Sequence, residues 1–261
     1  MDKAQPPRDQ NEPYVPIDPF IRSFSLRDDV EIDFSRYPFA LPLIQQLGEV
    51  KLHPRCTFLV GENGSGKSTL VEGLAVAVGF NPEGGSKNFN FRTAQAHSDL
   101  HEYLRVARSP RRELDGFFLR AESFFNVASN LDEIGGLWNY GGKSLHEMSH
   151  GESFIALMTN RFRRGGLFIL DEPEAALSPI RQFSMLKVMH ELIQDRGSQF
   201  VIATHSPILM AYPDALILSL DDGAPVEAKW DDLEHVKLTK DFINRPDRFL
   251  RELFGELPDG N

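Results

Sequence analysis

Nine residues, Gly61-Glu62-Asn63-Gly64-Ser65-Gly66-Lys67-Ser68-Thr69, constrain this chain more than any other stretch. They fit the pattern G-x-x-x-x-G-K-[ST], the signature of a loop that cradles phosphates. An apolar run, Cys56 to Val60, precedes it with strand character, and Leu70 to Val78 follows with helical apolar spacing. Glycines let the backbone curl so that successive N–H groups point inward at phosphate oxygens. A helix opening at Lys67 adds the partial positive charge of its N-terminus. In that frame Lys67 reaches the β- and γ-phosphates and the Ser68 hydroxyl holds Mg²⁺. The plain alternative is a chance glycine-rich turn, and the strand and helix on either side argue against it.

A second stretch complements the first. Gly166-Leu167-Phe168-Ile169-Leu170 is a continuous apolar run, the mark of a strand covered on both faces, and it ends in Asp171-Glu172. Carboxylates at the C-terminal end of such a strand stand where open α/β sheets bind ligands. Asp171 would share Mg²⁺ with Ser68, through water, and Glu172 would polarise an attacking water as general base. The plain alternative is a strand that merely ends in a polar turn, and the phosphate loop elsewhere in the chain argues against it.

Strands alternating with helices predict an α/β fold of the P-loop NTPase kind, a mostly parallel sheet covered by helices on both faces. An antiparallel β element is expected ahead of it, where Phe20 to Leu26 and Val30 to Phe34 alternate as a hairpin around an Asp-Asp turn. Residues 1–19 are polar and proline-rich and read as a flexible arm, and 255–261 as a flexible tail. Between them, 20–254 reads as one ATPase domain with a signature-bearing helical lobe inserted at 81–165. Within that lobe, 81–96 reads as a long loop, Leu100 to Ala107 as a helix and Gly116 to Ala121 as a strand. Ser123 to Leu131 reads as a helix and Gly135 to Gly142 as a glycine-rich loop. Beyond it come helices from Leu145-His146-Glu147-Met148 to Phe162 and from Ser178-Pro179 to Gln194. A strand Gln199 to Ala203, a strand pair around Asp222-Gly223 and two short C-terminal helices complete the expectation.

The 261 residues carry a net charge of −10, which argues against coating nucleic acid by bulk charge. The basic clusters Arg105–Arg112 and Arg161–Arg164 leave a local DNA contact open. A single cysteine excludes an intramolecular disulfide and a Cys-x-x-Cys hook. No apolar run approaches the roughly 20 residues that span a bilayer, and the N-terminus is no secretory signal. A cytoplasmic protein without membrane insertion is expected. His97 and His101 stand one helical turn apart, a zinc-compatible spacing that lacks a third ligand.

Met148-Ser149-His150-Gly151-Glu152 resembles the leucine-serine-glycine-glycine-glutamine signature of ATP-binding-cassette (ABC) proteins. The variant wording resembles that of the DNA-repair and overcoming-lysogenization-defect-like ATPases. The resemblance implies that Ser149 and Gly151, at a helix N-terminus, bind the γ-phosphate held by a second subunit. Three positions depart from the signature: Met148, His150 and Glu152. Thr204-His205-Ser206-Pro207 resembles the switch-histidine segment of the same superfamily, implying a γ-phosphate contact for His205. Ala121-Glu122-Ser123 stands where the cassette family carries a glutamine. Glu122 is then a substitute Mg²⁺ ligand, with a surface glutamate as the alternative. Phe118 to Phe125 and Asp171 to Pro179 are similar to a family of small stand-alone AAA-type ATPases. Together these resemblances imply an ATP- and Mg²⁺-dependent hydrolase that forms a homodimer around two nucleotides and serves an unidentified protein effector. Two rivals follow: a nucleotide-gated module of DNA repair or anti-phage defence, and the ATPase subunit of a membrane transporter.

Overall fold

A computed structural model describes residues 18–87, 98–122, 124 and 148–255. Its first elements are β1 (Ile21–Leu26), the one-turn helix α1 (Pro42–Gln45), β2 (Val50–Lys51), β3 (Cys56–Val60) and α2 (Lys67–Ala77). A 3-10 turn, Asp99–Tyr103, leads into β4 (Leu104–Arg108), and β5 (Asp115–Arg120) follows. Then come α3 (His150–Arg161), β6 (Gly166–Asp171), a 3-10 turn (Pro173–Ala176) and α4 (Pro179–Arg196). Next are β7 (Gln199–Ala203), α5 (Pro207–Met210), β8 (Leu216–Ser219) and β9 (Val226–Glu227). Two amphipathic helices follow, α6 (Glu234–Asn244) and α7 (Pro246–Phe254).

The main sheet has six strands in the order β5-β6-β7-β3-β8-β9. All neighbours are parallel except β9, which runs antiparallel to β8. β7 therefore separates the phosphate-loop strand from the Asp171 strand. Because β3, β7 and β6 run the same way, their C-terminal ends share one edge. Gly61, Thr204 and Asp171 leave the sheet there together, which is how residues far apart in sequence come to build one site.

Burial on both faces explains the unbroken apolar runs. Phe58, Phe168, Leu170, Phe200 and Ile202 face a core shared with Phe154 and Leu157 of α3 and Met185 and Met189 of α4. Leu59, Ile169 and Val201 face the other way, into a core built with Leu70, Val71 and Leu74 of α2 and with Ile21 and Phe24 of β1. On the first face Phe168 stacks on Phe162, with centroids 4.3 Å apart and planes 5° off parallel, and meets Phe200 at 5.0 Å. Phe168→Ala is expected to cost about 3–5 kcal/mol, from lost burial and an unfilled cavity. Urea unfolding checks this. A loss no larger than that of a surface substitution, about 0.5 kcal/mol, would contradict the packing.

A smaller antiparallel sheet, β2-β1-β4, caps the second face. The antiparallel β element expected near the N-terminus is present, but its partners differ. Val30 to Phe34 forms no strand, and Phe24 pairs instead with Val106 and Val50. Asp28 and Asp29 are not a hairpin turn but partners for arginines, Asp28 with Arg105 and Asp29 with Arg27 at 2.8 Å. The helix expected over Leu100 to Ala107 is also corrected. Ser98 caps a 3-10 turn that ends at Tyr103, and the chain then extends because Leu104, Arg105 and Val106 alternate at the strand period. Buried Gln199 ties the two sheets together. Its Oε1 accepts from Phe20 N–H and Ile21 N–H, both at 2.9 Å, and its Nε2 donates to Ile21 O and His53 O. The interval 81–165 contains β4 and β5, each a member of a sheet. The helix expected over Ser123 to Leu131 and the Gly135 to Gly142 loop lie almost wholly outside the described residues, as do most of the arm and the tail.

Candidate active site

The loop after β3 is held in left-handed backbone at Gly64 (φ +85°) and Gly66 (φ +94°), which glycine adopts without strain. Gly66 caps α2, so the helix N-terminus opens into the loop. Lys67 folds back into it, and its Nζ donates to Gly61 O at 2.7 Å and Glu62 O at 2.8 Å. Burial pulls the Lys67 pKa down, against the opposing pull of Glu172, Asp171, Asp221 and Glu174. Asp221, past the end of β8, braces the loop by accepting from Glu62 N–H at 2.7 Å. Ser65 Oγ is buried without a hydrogen-bond partner. A buried hydroxyl left this way in a glycine-rich loop suits an incoming oxyanion.

Opposite the loop, Asp171 ends β6 and its Oδ1 accepts from Ser68 Oγ at 3.1 Å. Burial raises its pKa to about 6, against the lowering effects of Arg120 and Ser68. Glu172 occupies left-handed backbone at φ +49°, an uncommon and strained conformation for a residue with a Cβ. Its N–H is held by Ala203 O at 2.9 Å, and its carboxylate points out of the turn to within 3.7 Å of His205 Nε2. Glu174 fixes the histidine from behind, its Oε1 accepting from His205 N–H at 2.6 Å.

Lys67, Ser68, Asp171 and Glu172 line two adjoining clefts, and His205 lines neither. One, about 310 Å³, lies over the loop between Tyr37, Asn63, Gly64, Lys67, Thr69 and Glu172. The other, about 200 Å³, is lined by Glu122, His150, Asp171, Glu172 and Ala175. Ser68 and Glu172 belong to both. A bound triphosphate can therefore lie along the loop while its terminal phosphate faces the carboxylates.

Other expected site residues sit at different distances. Glu122 lines the second cleft with its side chain 88% exposed, 3.7 Å from Arg120. Ser149 caps α3, and its N–H donates to Glu152 Oε2 at 3.0 Å. Arg181 Nη2 meets Glu152 Oε1 at 2.9 Å, and the backbone bond from Ser149, with Arg181, holds the Glu152 pKa down to about 2. The departure to glutamate is thus accounted for within the chain. A Cβ on Gly151 would fall 2.5 Å from Arg181 Cδ, so any larger residue there would displace the arginine. Ser149 and Gly151 line neither cleft, whereas His150 reaches the second. His101 is described but His97 is not, and no three-residue His/Cys/Asp/Glu metal cluster occurs among the described residues. Cys56 is fully buried, and burial pushes its thiol pKa up.

Three residues went unread in the sequence. Tyr37 is 64% exposed and its hydroxyl hydrogen-bonds Thr69 Oγ1 at 3.0 Å, which places an aromatic ring on the wall of the first cleft. Arg120 and Asp221 are the others. Each is a single polar residue at a strand end, with no spacing to mark it.

Residues 21–125 match a family model described as an AAA domain. Residues 139–211 match another, described as "AAA domain, putative AbiEii toxin, Type IV TA system". The zinc transport system ATP-binding protein AdcC of Streptococcus pneumoniae is 24% identical over 195 residues, covering 67% of this chain and 82% of the relative. The thiamine import ATP-binding protein ThiQ of Brucella abortus is 28% identical over 186 residues, covering 63% and 73%. These matches support an ABC-type ATPase, a P-loop NTPase that hydrolyses ATP. Among solved structures, cbiO1 from Clostridium perfringens, part of an ABC transporter complex, aligns over 87% of this ATPase and 97% of its own chain (17% identity, TM-score 0.48). The SMC head domain from Thermotoga maritima aligns over 80% and 99% (15% identity, TM-score 0.44).

Proposed function

We propose that this ATPase binds ATP with Mg²⁺ along the loop at 61–69 and hydrolyses it to ADP and phosphate between two copies of the chain. The observation that carries this is the 3.1 Å contact of Ser68 Oγ with Asp171 Oδ1, with Lys67 and Glu172 in the same cleft. The donors are hard oxygens, as Mg²⁺ requires, and few, as it tolerates when phosphate and water complete its shell. Ser68 and Asp171 would hold it, with Glu122 at the mouth of the cleft. Bound there, the ion neutralises phosphate charge.

The chain's own residues do the rest. Lys67 exchanges its two carbonyl partners for the β- and γ-phosphate oxygens. Tyr37 offers its ring to the base. Glu172 takes a proton from the attacking water on its carboxylate, and His205 orients the γ-phosphate beside it. Ser149 and Gly151, set away from the clefts of their own chain, act on the γ-phosphate of the partner. Residues 20–254 then work as one unit, because both sheets share the core behind the loop.

The output is closure and opening of a homodimer. The wording of Met148 to Glu152 favours a DNA-repair or defence setting. The curated relatives, named for zinc transport and thiamine import, favour service to a membrane partner. No helix among the described residues is long and apolar enough to cross a membrane.

Mixing tests the shared site. Ser149→Arg and Lys67→Ala proteins are each expected to be inactive as homodimers. Mixed, they should regain part of the ATPase activity, because a heterodimer keeps one intact composite site. No gain on mixing, with subunit exchange shown independently, would count against action in trans.

A further inference from the structure

Arg120 ends β5 directly opposite Asp171 in the parallel register of β5 and β6. Its Nη1 meets Glu72 Oε2 at 2.7 Å, with only 19% and 11% of the two side chains exposed. Glu72 lies on α2, four residues beyond Ser68, so the same helix supplies the hydroxyl and the arginine's anchor. Arg120 Nε is buried without a hydrogen-bond partner, 3.6 Å from Asp171 Oδ2. The other oxygen, Oδ1, accepts from Ser68. Each oxygen of the one carboxylate thus faces a different group, Oδ1 the serine and Oδ2 the arginine.

We propose that Arg120, anchored by Glu72, is a positioning residue that fixes the rotation of the Asp171 carboxylate and so presents Oδ1 to the metal ion. The proposal rests on the reading of Ser68 and Asp171 as the metal-holding pair. An aspartate at a strand end can turn about its last torsion, which is broad and two-fold. The guanidinium Nε, 3.6 Å from Oδ2, draws that oxygen by charge while Ser68 holds Oδ1, and together they restrain the torsion. Lysine, a point charge on a flexible stem, cannot span Glu72 and Asp171 with defined geometry. The carboxylates Glu122, Asp171 and Glu172 line the second cleft, so it still attracts a dication.

A purely electrostatic role and a positioning role predict opposite outcomes. Arg120 carries positive charge beside the ion, so as charge alone it repels the metal. Arg120→Gln would then tighten metal binding, and Arg120→Lys would leave it unchanged. As a positioning residue, both variants weaken it, by about 10- to 100-fold, the usual effect of losing a group that orients a metal ligand. The probe is Mn²⁺ added to the full chain saturated with ATP, its binding followed by electron paramagnetic resonance, with ATP binding in EDTA as the control. Weaker Mn²⁺ binding by both variants, with ATP binding in EDTA kept, is the expected result. A lowered melting temperature with Mn²⁺ binding unchanged or tighter would overturn the proposal and leave a structural ion pair. If Arg120→Gln fails to fold, Arg120→Lys, which keeps the charge, decides alone. If the unmodified protein takes up no Mn²⁺ with ATP, the metal assignment itself fails, a result distinct from either.

Discussion

Replacing Glu172 by glutamine is expected to lower ATP turnover by about 10²- to 10⁴-fold, the usual contribution of a general base. Glutamine keeps the length and shape of the side chain but cannot accept the proton. The left-handed turn that aims the residue is held by the backbone bond to Ala203 O at 2.9 Å, which the substitution leaves intact. ATP binding should survive, since Lys67, Ser68 and Asp171 are untouched. Glu174 is a poor substitute, because it lines neither cleft and its Oε1 accepts from His205 N–H at 2.6 Å. Phosphate release under saturating ATP measures the effect. Wild-type turnover in the glutamine variant would move the base elsewhere, and Glu122, which faces the same cleft, would be tested next.

Lys67→Ala is expected to weaken ATP binding by about 10- to 150-fold, the equivalent of roughly 1.5–3 kcal/mol for a charge-assisted contact. Calorimetric titration reads it. The fold should survive. Lys67 is a buried cation whose pKa is pulled down by desolvation, so its removal relieves a burial cost as it breaks two bonds to loop carbonyls. A well-folded variant with unchanged ATP affinity would remove Lys67 from the phosphate site.

What could be read before the fold was known follows a physical division. Motifs with tight internal geometry were legible. The loop at 61–69 needs its glycines and its lysine in one order, and Asp171-Glu172 needs a strand buried on both faces to present it. The parallel sheet followed from the same apolar runs. Long-range pairing was not legible. β1 alternates in a way that any antiparallel partner satisfies, and only the fold shows that β4, some 80 residues on, is that partner rather than Val30 to Phe34. Leu100 to Ala107 misled because its apolar residues fit a helical period as well as a strand period over so short a run. Tyr37 and Arg120 were invisible for a related reason. Their roles come from the place the fold gives them, one beside Thr69 and the other opposite Asp171.

The left-handed backbone at Glu172 was equally hidden. Nothing in Asp171-Glu172-Pro173-Glu174 announces a φ of +49°. Yet this conformation turns the chain out of β6 and aims the carboxylate at the cleft, and strain of this kind gathers where function over-determines structure.

The central claim is that ATP is held between two copies of the chain and that hydrolysis by Glu172 releases them. Light scattering on size-exclusion chromatography of the Glu172→Gln protein tests it most directly. With ATP and Mg²⁺ the mass should be that of a dimer, and without nucleotide mainly that of a monomer. Asp171→Asn should show no such ATP-dependent dimer. A Glu172→Gln protein that binds ATP fully yet keeps the same mass with and without it would contradict the shared-site account.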